Sequence, residues 1–467
     1  MRKPPLVTLL ALLASGCMVG PDYVRPPVDT PAGWRLSEQD ARDLANTAWW
    51  EQLGDPVLND LVTTALRENK DLMIAAARVE EFAGNYGFVH SGLFPQVGAG
   101  YDARRQRDVS AVVIGAGGGQ TYNSYNAVLN ASWEIDIWGR IRRQTEAARA
   151  QLLASEEGRR GVILSLVGSV AGAYTNLRNL DRQLEIARAT AKSRGESYEL
   201  FKLRFEGGII SVLELSQNRS QYEEALATIP PLEKAIAQQE NGLSVLLGRN
   251  PGPILRGKTI DQLTLPAIPA GLPSELLERR PDIRRAEQNL VAANALIGAA
   301  KAAYFPTISL TGLFGYSSTS LSNLFNSQNK VWNYGSPISM PIFTAGAIAG
   351  QVQAAEASQQ QALFAYQKAI QEAFREVNDS LISQDRTREQ LKVQKRQVEA
   401  LQQYSATARL RYDNGYTSYI EVLDAERSLF NVQLQYTQTQ QVEFQAMINL
   451  YLAMGGGWVS EAEKVTD

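Results

Sequence analysis

The feature that most constrains the fold of this 467-residue chain is an internal duplication. The stretch LRFEGGIISVLEL, which starts at Leu203, aligns with LRYDNGYTSYIEV, which starts at Leu410. Upstream, Phe94-Pro95 matches Phe305-Pro306. Because the matching landmarks keep the same order along the chain, the sequence predicts one structural unit built twice.

Proline- and glycine-rich segments mark the predicted boundaries. In chain order they are a signal peptide over 1–16, an extended N-terminal segment over 17–57, repeat 1 over 58–250, a linker over 251–273, repeat 2 over 274–457 and a C-terminal tail over 458–467. Each repeat is predicted to contain a first helix (Asp71–Leu93 and Asp282–Phe305), a β-hairpin (96–137 and 307–343) and a long helical hairpin (139–247 and 346–454).

The N-terminus has the pattern of a bacterial lipoprotein signal. Arg2 and Lys3 precede an apolar run, Leu6 to Leu13, that is too short to span a bilayer. The single cysteine of the chain, Cys17, follows small residues where such a signal is cut and the new N-terminus is acylated. We expect a covalent lipid on Cys17 that anchors the protein to the outer membrane, and an ordinary signal peptide is the alternative.

Four segments alternate strictly between apolar and polar residues. In YNAVLNASWEIDIW, Tyr125, Leu129 and Trp133 fall on one face, and Asn126 and Asn130 fall on the other. This pattern fits a half-buried strand of a soluble sheet or a membrane barrel strand, and the lipoprotein signal favours the membrane barrel. A closed barrel needs at least about eight strands, so a chain with four must oligomerise.

The helical stretch from Gly139 to Phe205 implies a helix about 100 Å long at 1.5 Å per residue. Its apolar positions mix alanine, glycine and serine with charge, which favours a curved wall of helices over a two-stranded coiled coil. We therefore expect a mixed fold, a membrane β-barrel continued by a long α-helical barrel. Pro230-Pro231 should kink or break the helix that follows the first turn.

Composition narrows the functional classes. The formal net charge is -3 and there is one histidine, so neither a nucleic-acid partner nor a histidine-based metal or acid–base site is expected. Glu421 and Asp424 are three residues apart on a helix and share a face. Such carboxylates could serve a hydrolase or be solvated surface charges, but no cluster of catalytic residue types surrounds them, and we expect no enzyme.

Five stretches in their order resemble the TolC-type outer membrane factors, in their lipidated efflux branch. They are CMVGPDY, LLERRPDIRRAEQNLVAANALIGAAKAAYFPTISLTG, MPIFTAG, YIEVLDAERSL and LYLAMGGGW. The resemblance covers essentially the mature chain and implies a homotrimer with a twelve-stranded barrel and a periplasmic helical cylinder. It also implies two protein partners, a periplasmic adaptor and an inner-membrane transporter of the RND type, and no cofactor besides the lipid on Cys17.

The resemblance assigns roles to the helical hairpins. It implies that Glu421 and Asp424 form acidic rings that narrow the periplasmic entrance, with Glu214 as the acidic residue of the partner hairpin. Tyr412 matches a tyrosine that hydrogen-bonds across the closed tip. Thr417 stands where the best-known member of the family has an arginine, so the latch here cannot be the same charged one.

The hairpin turns themselves are expected at Gly207, Gly208, Asn414 and Gly415. Crowded carboxylates at such a tip would repel one another and bind cations. The expected function is the gated exit duct of a tripartite efflux pump for drugs, solvents or metal ions. The alternatives are a duct for type I protein secretion and a structural helical lipoprotein without a channel.

Overall fold

The structure is a computed structural model that describes residues 18–28, 48–108, 120–266 and 276–455. The predicted signal peptide, Cys17 and the C-terminal tail lie outside the described residues. Within the described ranges, no helix combines the length and the hydrophobicity that a membrane span requires.

Most of the helices occur in pairs of equal length. In chain order they are α1 (Pro56–Glu68), α2 (Lys70–Ser91), α3 (Arg140–Glu206), α4 (Val212–Leu246), α5 (Leu276–Arg279), α6 (Pro281–Ala302), α7 (Ala347–Asp413) and α8 (Tyr419–Ala453). Helices α3 and α7 each have 67 residues, α4 and α8 each have 35, and α2 and α6 each have 22. The duplication is therefore present in these three pairs of helices, whereas α1 and α5 differ in length, with 13 and 4 residues.

Helices α2 and α6 end two and three residues earlier than the sequence indicated, at Ser91 and Ala302. The chain closes each helix with a tighter turn, because Gly92 N–H donates to the Val89 carbonyl at 3.2 Å and Ala303 N–H to the Ala300 carbonyl at 3.1 Å. These i to i−3 bonds belong to a 3₁₀ turn rather than an α-helix.

The strands form one antiparallel sheet. They are β1 (Gln96–Asp108), β2 (Gln120–Ile135), β3 (Thr307–Ser318), β4 (Lys330–Gly335) and β5 (Ile338–Ser339). The order is β1-β2-β3-β4, and β5 also pairs with β3. The fourth predicted strand is thus split in two. Pro337, which lacks an N–H donor, interrupts it, although the Pro337 carbonyl still accepts from Ser309 N–H at 3.1 Å.

The register gives the sheet two chemically different faces. Tyr101, Ala127, Tyr316 and Lys330 lie in one row across the four strands. We call the face that carries this row the apolar face. Its apolar side chains from β2 and β3 are Tyr125, Ala127, Leu129, Ala131, Trp133, Ile135, Ile308, Leu310, Phe314 and Tyr316, and toward the strand ends away from the helices it also carries Thr121, Asn123 and Ser318. The opposite face is rich in asparagine, serine and threonine.

The chain divides into two compact units. The first contains residues 1–27, 78–155 and 285–366, and it holds the sheet. In this unit the segment after Cys17 is fixed by hydrogen bonds, since Val19 N–H donates to the Trp138 carbonyl at 3.1 Å and the buried Arg143 donates to Asp22 at 2.7 Å. The N-terminal segment is therefore extended but ordered over 18–28.

The second unit contains residues 28–77, 156–284 and 367–467. Its core includes Trp49, fully buried and stacked on Tyr451 with ring centroids 5.2 Å apart. Asp55, also fully buried, accepts from Tyr174 Oη at 2.6 Å and from Lys258 N–H at 2.8 Å. The described part of the predicted linker is thus packed on the helices rather than free.

Helix α4 runs unbroken through Pro230 and Pro231, so the prediction that they break it is wrong. Each proline removes one helical donor, which leaves the carbonyls of Leu226 and Ala227 without their usual partners. Both prolines are exposed, and the two carbonyls belong to half-buried and exposed residues. Water can therefore satisfy them, and the helix continues.

Candidate functional site at the helical hairpins

The two turns that join the long helices have the same backbone geometry. Gly208 and Gly415 have φ of 73° and 78°, a left-handed conformation that favours glycine. One residue later, Ile209 N–H donates to the Arg204 carbonyl at 2.9 Å, and Tyr416 N–H donates to the Arg411 carbonyl at 2.8 Å. This is the Schellman pattern that ends a helix at a glycine.

The residues before these glycines extend the same pattern. Gly207 N–H donates to the Leu203 carbonyl at 3.0 Å, and Asn414 N–H donates to the Leu410 carbonyl at 3.2 Å. The Asn414 side chain adds a bond to that carbonyl at 2.8 Å. The structure therefore places Gly207, Gly208, Asn414 and Gly415 at the tips of the two hairpins.

An aromatic cluster packs the hairpins together beneath the turns. Phe201 of α3, Tyr412 of α7 and Tyr419 of α8 have ring centroids 4.2 to 6.2 Å apart. The buried Tyr419 Oη accepts from Asn218 Nδ2 of α4 at 2.7 Å. Each of the four hairpin helices thus contributes a side chain to one small core.

Tyr412 has its polar contact within the chain. Arg204 Nη1 of the first hairpin donates to Tyr412 Oη at 3.5 Å, and the same guanidinium lies over the Phe201 ring, 5.7 Å from its centroid. The contact joins the tips of the two hairpins. Thr417 is half-buried. In the chain it lies between the turn of the second hairpin and Ser418, the residue that precedes α8.

Glu421 and Asp424 lie together on the first turns of α8, and both are exposed. They line one groove of about 510 Å³, whose other walls come from α4 and α7. Asp424 accepts from Arg427 at 2.9 Å. The three-residue spacing therefore brings both carboxylates to the same surface, as the helical periodicity predicted.

Glu214 occupies the equivalent helix position in the first hairpin but is engaged differently. Its carboxylate accepts from Ser211 N–H at 2.9 Å and from Ser211 Oγ at 3.0 Å, while Ser211 Oγ accepts from Glu214 N–H at 3.3 Å. This is a capping box at the start of α4. In the second hairpin, Ser418 makes no side-chain capping bond, so Glu421 is left to project outward.

Sequence reasoning missed a buried cluster of charges near the hairpins. The Arg194 side chain is only 3% exposed; it donates to the Gln221 carbonyl at 2.8 Å and lies 5.3 Å from the centroid of the Phe430 ring. Burial lowers the pKa of Arg194. Burial raises the pKa of Glu426, against the opposing charges of Arg409 and Arg194. No periodic or motif signal separates these residues from the many exposed charges around them.

The cluster extends to the aromatic core. Burial raises the pKa of Tyr419 to about 12, and the nearby charge of Glu426 adds to the effect. Tyr419 is therefore a neutral hydroxyl, and it accepts a hydrogen bond from Asn218. Among the described residues, no group of three or more histidine, cysteine, aspartate or glutamate side chains is arranged to hold a metal ion.

Twice-repeated helical hairpins joined to antiparallel strand hairpins define the class of outer membrane channels with a TolC-like fold. The chain belongs to the family described as Outer membrane efflux protein, whose profile matches residues 61–249 and 272–456. It is therefore an outer membrane efflux channel protein.

Individual relatives match along nearly the whole chain. The toluene efflux pump outer membrane protein TtgF of Pseudomonas putida is 37% identical over 98% of this chain and 98% of its own length. The cation efflux system protein CusC of Escherichia coli is 37% identical over 96% and 97%, and the probable outer membrane lipoprotein SilC of Salmonella typhimurium is 37% identical over 97% and 98%. A crystal structure of CusC, in work on folding and transmembrane channel formation, has a TM-score of 0.85 at 35% identity, covering 94% of this chain and 100% of that one.

Proposed function

We propose that three copies of the chain form the exit duct of a tripartite efflux pump, which conducts small toxic compounds passively from periplasm to exterior. The observation that carries the proposal is the groove at the second hairpin, where Glu421 and Asp424 are exposed side by side. In this proposal the hairpin tips are a gate, and the two carboxylates line its constriction.

The strand count supports an oligomer, and the membership in the efflux channel family supports three copies. The sheet ends at β1 on one side and at β4 on the other, and an open edge in a bilayer leaves backbone groups unsatisfied. One chain contributes four long strand positions, fewer than the roughly eight that closure requires. Three copies give twelve, with β4 of each copy beside β1 of the next, and the strands then cross the outer membrane.

The constriction acts through charge. Three copies of Glu421 and Asp424 brought to one axis would raise the local negative potential, so cations would enter more readily than anions. The same crowding would bind divalent cations and slow their passage. Thr417 and Tyr412 lie at the tips in this proposal and contribute to holding the gate shut without a charged latch.

The tips also offer a surface for the periplasmic adaptor. Ile209 and Tyr416, one at each turn, are 75% and 77% exposed, and Val212, Leu213 and Ile420 beside them are more than 60% exposed. Such apolar exposure near a helical end is typical of a protein-binding site. We propose that the adaptor docks there and connects the duct to an inner-membrane transporter of the RND type.

We further propose that Cys17 carries the lipid anchor. The segment that follows it is fixed to the first unit by Val19 and Asp22, which would hold an acylated cysteine near the start of α3. The name of SilC describes a lipoprotein. The names of TtgF and CusC describe efflux of toluene and of cations, and they support our proposal that this chain conducts drugs, solvents or metal ions.

Single-channel recording tests the proposal. Purified protein is crosslinked to count subunits and reconstituted in planar bilayers, where we expect a trimer and a cation-preferring conductance. The double variant Glu421→Ala/Asp424→Ala should lower cation preference and relieve divalent-cation block. Glu389→Ala is the matched control, because Glu389 is also an exposed carboxylate paired with an arginine three residues away. A monomer without conductance would refute the duct, and unchanged selectivity in the double variant would refute the constriction.

A further inference from the structure

Three of the four cations in the described strands lie on the apolar face of the sheet, and the fourth, Arg104, is paired with Asp102 on the opposite face. By register, Arg105, Arg107 and Lys330 fall on this face, and all three are exposed. All three lie at the strand ends away from the helices, next to the loops of the two hairpins. Among the described rows this face carries no carboxylate, because Asp102 and Glu134 fall on the opposite face.

An apolar groove lies on the same face. It has a volume of about 460 Å³, within the range of roughly 300–1,000 Å³ that is typical of small-molecule sites. The small side chains of Ala99 and Ala127 leave the space. Larger side chains from three neighbouring strands surround it: Tyr101, Leu129, Phe314 and Tyr316.

The groove and one cation are in direct contact. Lys330 Nζ lies 4.9 Å from the centroid of the Phe314 ring, which forms one wall of the groove. Lys330 also shares a register row with Tyr101, Ala127 and Tyr316. A positive charge therefore lies at the side of an apolar cavity, on a face that the proposed function turns toward lipid.

We propose that this surface binds a phosphorylated, acylated glycolipid of the outer leaflet, the lipopolysaccharide class. An acyl chain fills the groove, and a phosphate is held by Lys330. The inference rests on the proposed membrane-spanning trimer, in which the loops face the exterior. There β4 of one copy lies beside β1 of the next, so a second phosphate meets Arg105 and Arg107 of the neighbouring copy.

Charge complementarity selects this occupant over a neutral lipid. A cation in contact with hydrocarbon is unfavourable unless it reaches an anionic headgroup at the membrane surface. Basic residues near an anionic surface strengthen lipid binding by about fivefold each. The absence of carboxylates among the described residues of this face means that no fixed charge there repels the phosphate.

Lipid titration followed by native mass spectrometry tests the site in the full-length protein. Purified lipopolysaccharide is compared with its dephosphorylated form and with phosphatidylglycerol. We expect Lys330→Gln to weaken binding about fivefold and the triple variant with Arg105→Gln and Arg107→Gln to weaken it about 100-fold. Arg104→Gln is the matched control, since Arg104 lies on the same strand but on the opposite face, paired with Asp102 at 3.2 Å.

A second variant tests the groove separately from the charges. Ala127→Phe fills the space and should weaken binding of the acylated glycolipid without changing binding of its deacylated phosphorylated core. Unchanged lipopolysaccharide binding in the triple variant would overturn the proposal. Equal binding of phosphatidylglycerol and lipopolysaccharide, or equal losses in Lys330→Gln and Arg104→Gln, would also overturn it.

Conductance measured on the same preparations separates this inference from the proposed function. Normal conductance together with unchanged lipid binding in the triple variant refutes the lipid site alone. Wild-type protein that binds the glycolipid but does not conduct refutes the duct and leaves the lipid site supported.

Discussion

The equivalent glutamates of the two hairpins allow the capping hydrogen bonds of Glu214 to be removed while Glu421, which lacks them, serves as the reference. Glu214 and Glu421 both occupy the third position of a helix that follows a serine, but only Glu214 accepts hydrogen bonds from that serine, at 2.9 and 3.0 Å. Glu214→Ala removes the carboxylate half of the capping box, which is two hydrogen bonds from Ser211, and the net loss is about 1 kcal/mol. Glu421→Ala loses only the favourable interaction of a carboxylate with the helix N-terminus, which both variants lose alike.

The difference of about 1 kcal/mol corresponds to roughly fivefold faster local opening at the start of α4. Amide hydrogen exchange of the first turns of α4 and α8 measures it directly. Glu214→Ala should accelerate exchange in α4 by that factor, whereas Glu421→Ala should change α8 much less. Glu214→Gln keeps an acceptor oxygen and should retain most of the protection. Equal acceleration in α4 and α8 would refute the assignment of the capping box to the first hairpin alone.

Three further predictions follow from the same region. Tyr419→Phe leaves a buried amide donor without its acceptor and should lower the free energy of unfolding by about 1–3 kcal/mol, measured by chemical denaturation, whereas Tyr416→Phe at an exposed position should have little effect. Gly208→Ala and Gly415→Ala should each lower the free energy of unfolding by about 1 kcal/mol, because alanine is strained at a positive φ and no atom lies near the added Cβ at either site. A large difference in thermal midpoint between the two variants would contradict the shared geometry. Burial raises the pKa of Glu426, so this carboxyl binds its proton more tightly in the folded state than in the unfolded state. The free energy of unfolding therefore falls as pH rises above 4.5, the ordinary pKa of a glutamate. Glu426→Gln should therefore gain stability relative to wild type between about pH 4 and pH 7, and a pH-independent difference in thermal midpoint would contradict the raised pKa.

Much of the fold could be predicted because its determinants are local. Strict alternation located the strands, and glycines at equivalent positions located the hairpin turns at Gly208 and Gly415. Pro337 indicated in the sequence that the fourth strand could be split. A proline interrupts a strand only where its missing N–H would have bonded to a neighbouring strand, and the sequence does not show which way that position faces. The continuity of α4 through Pro230 depends on the exposure of the carbonyls nearby, which only the packed structure reveals.

The candidate site shows a limit of a different kind. The two hairpins share the capping-box spacing, Ser211 with Glu214 and Ser418 with Glu421, and nearly the same backbone angles at the serine. Only the first forms the box. The glutamate either bonds back to the serine or projects into solvent, and these two arrangements differ by about 1 kcal/mol. The surrounding side chains decide between them, and the local sequence does not contain that information.

The two copies differ in which of their carboxylates line the groove. Asp424 of α8 corresponds to Gln217 of α4, and both line the same groove. Glu421 is exposed there, whereas its counterpart Glu214 is held by Ser211. The duplicated hairpins thus keep one backbone, while only the second presents two exposed carboxylates to the groove, one of them paired with Arg427. In a ring of three copies, Glu421 and Asp424 of each α8 would add to the negative potential around the groove, whereas each α4 contributes Gln217 at the position of Asp424.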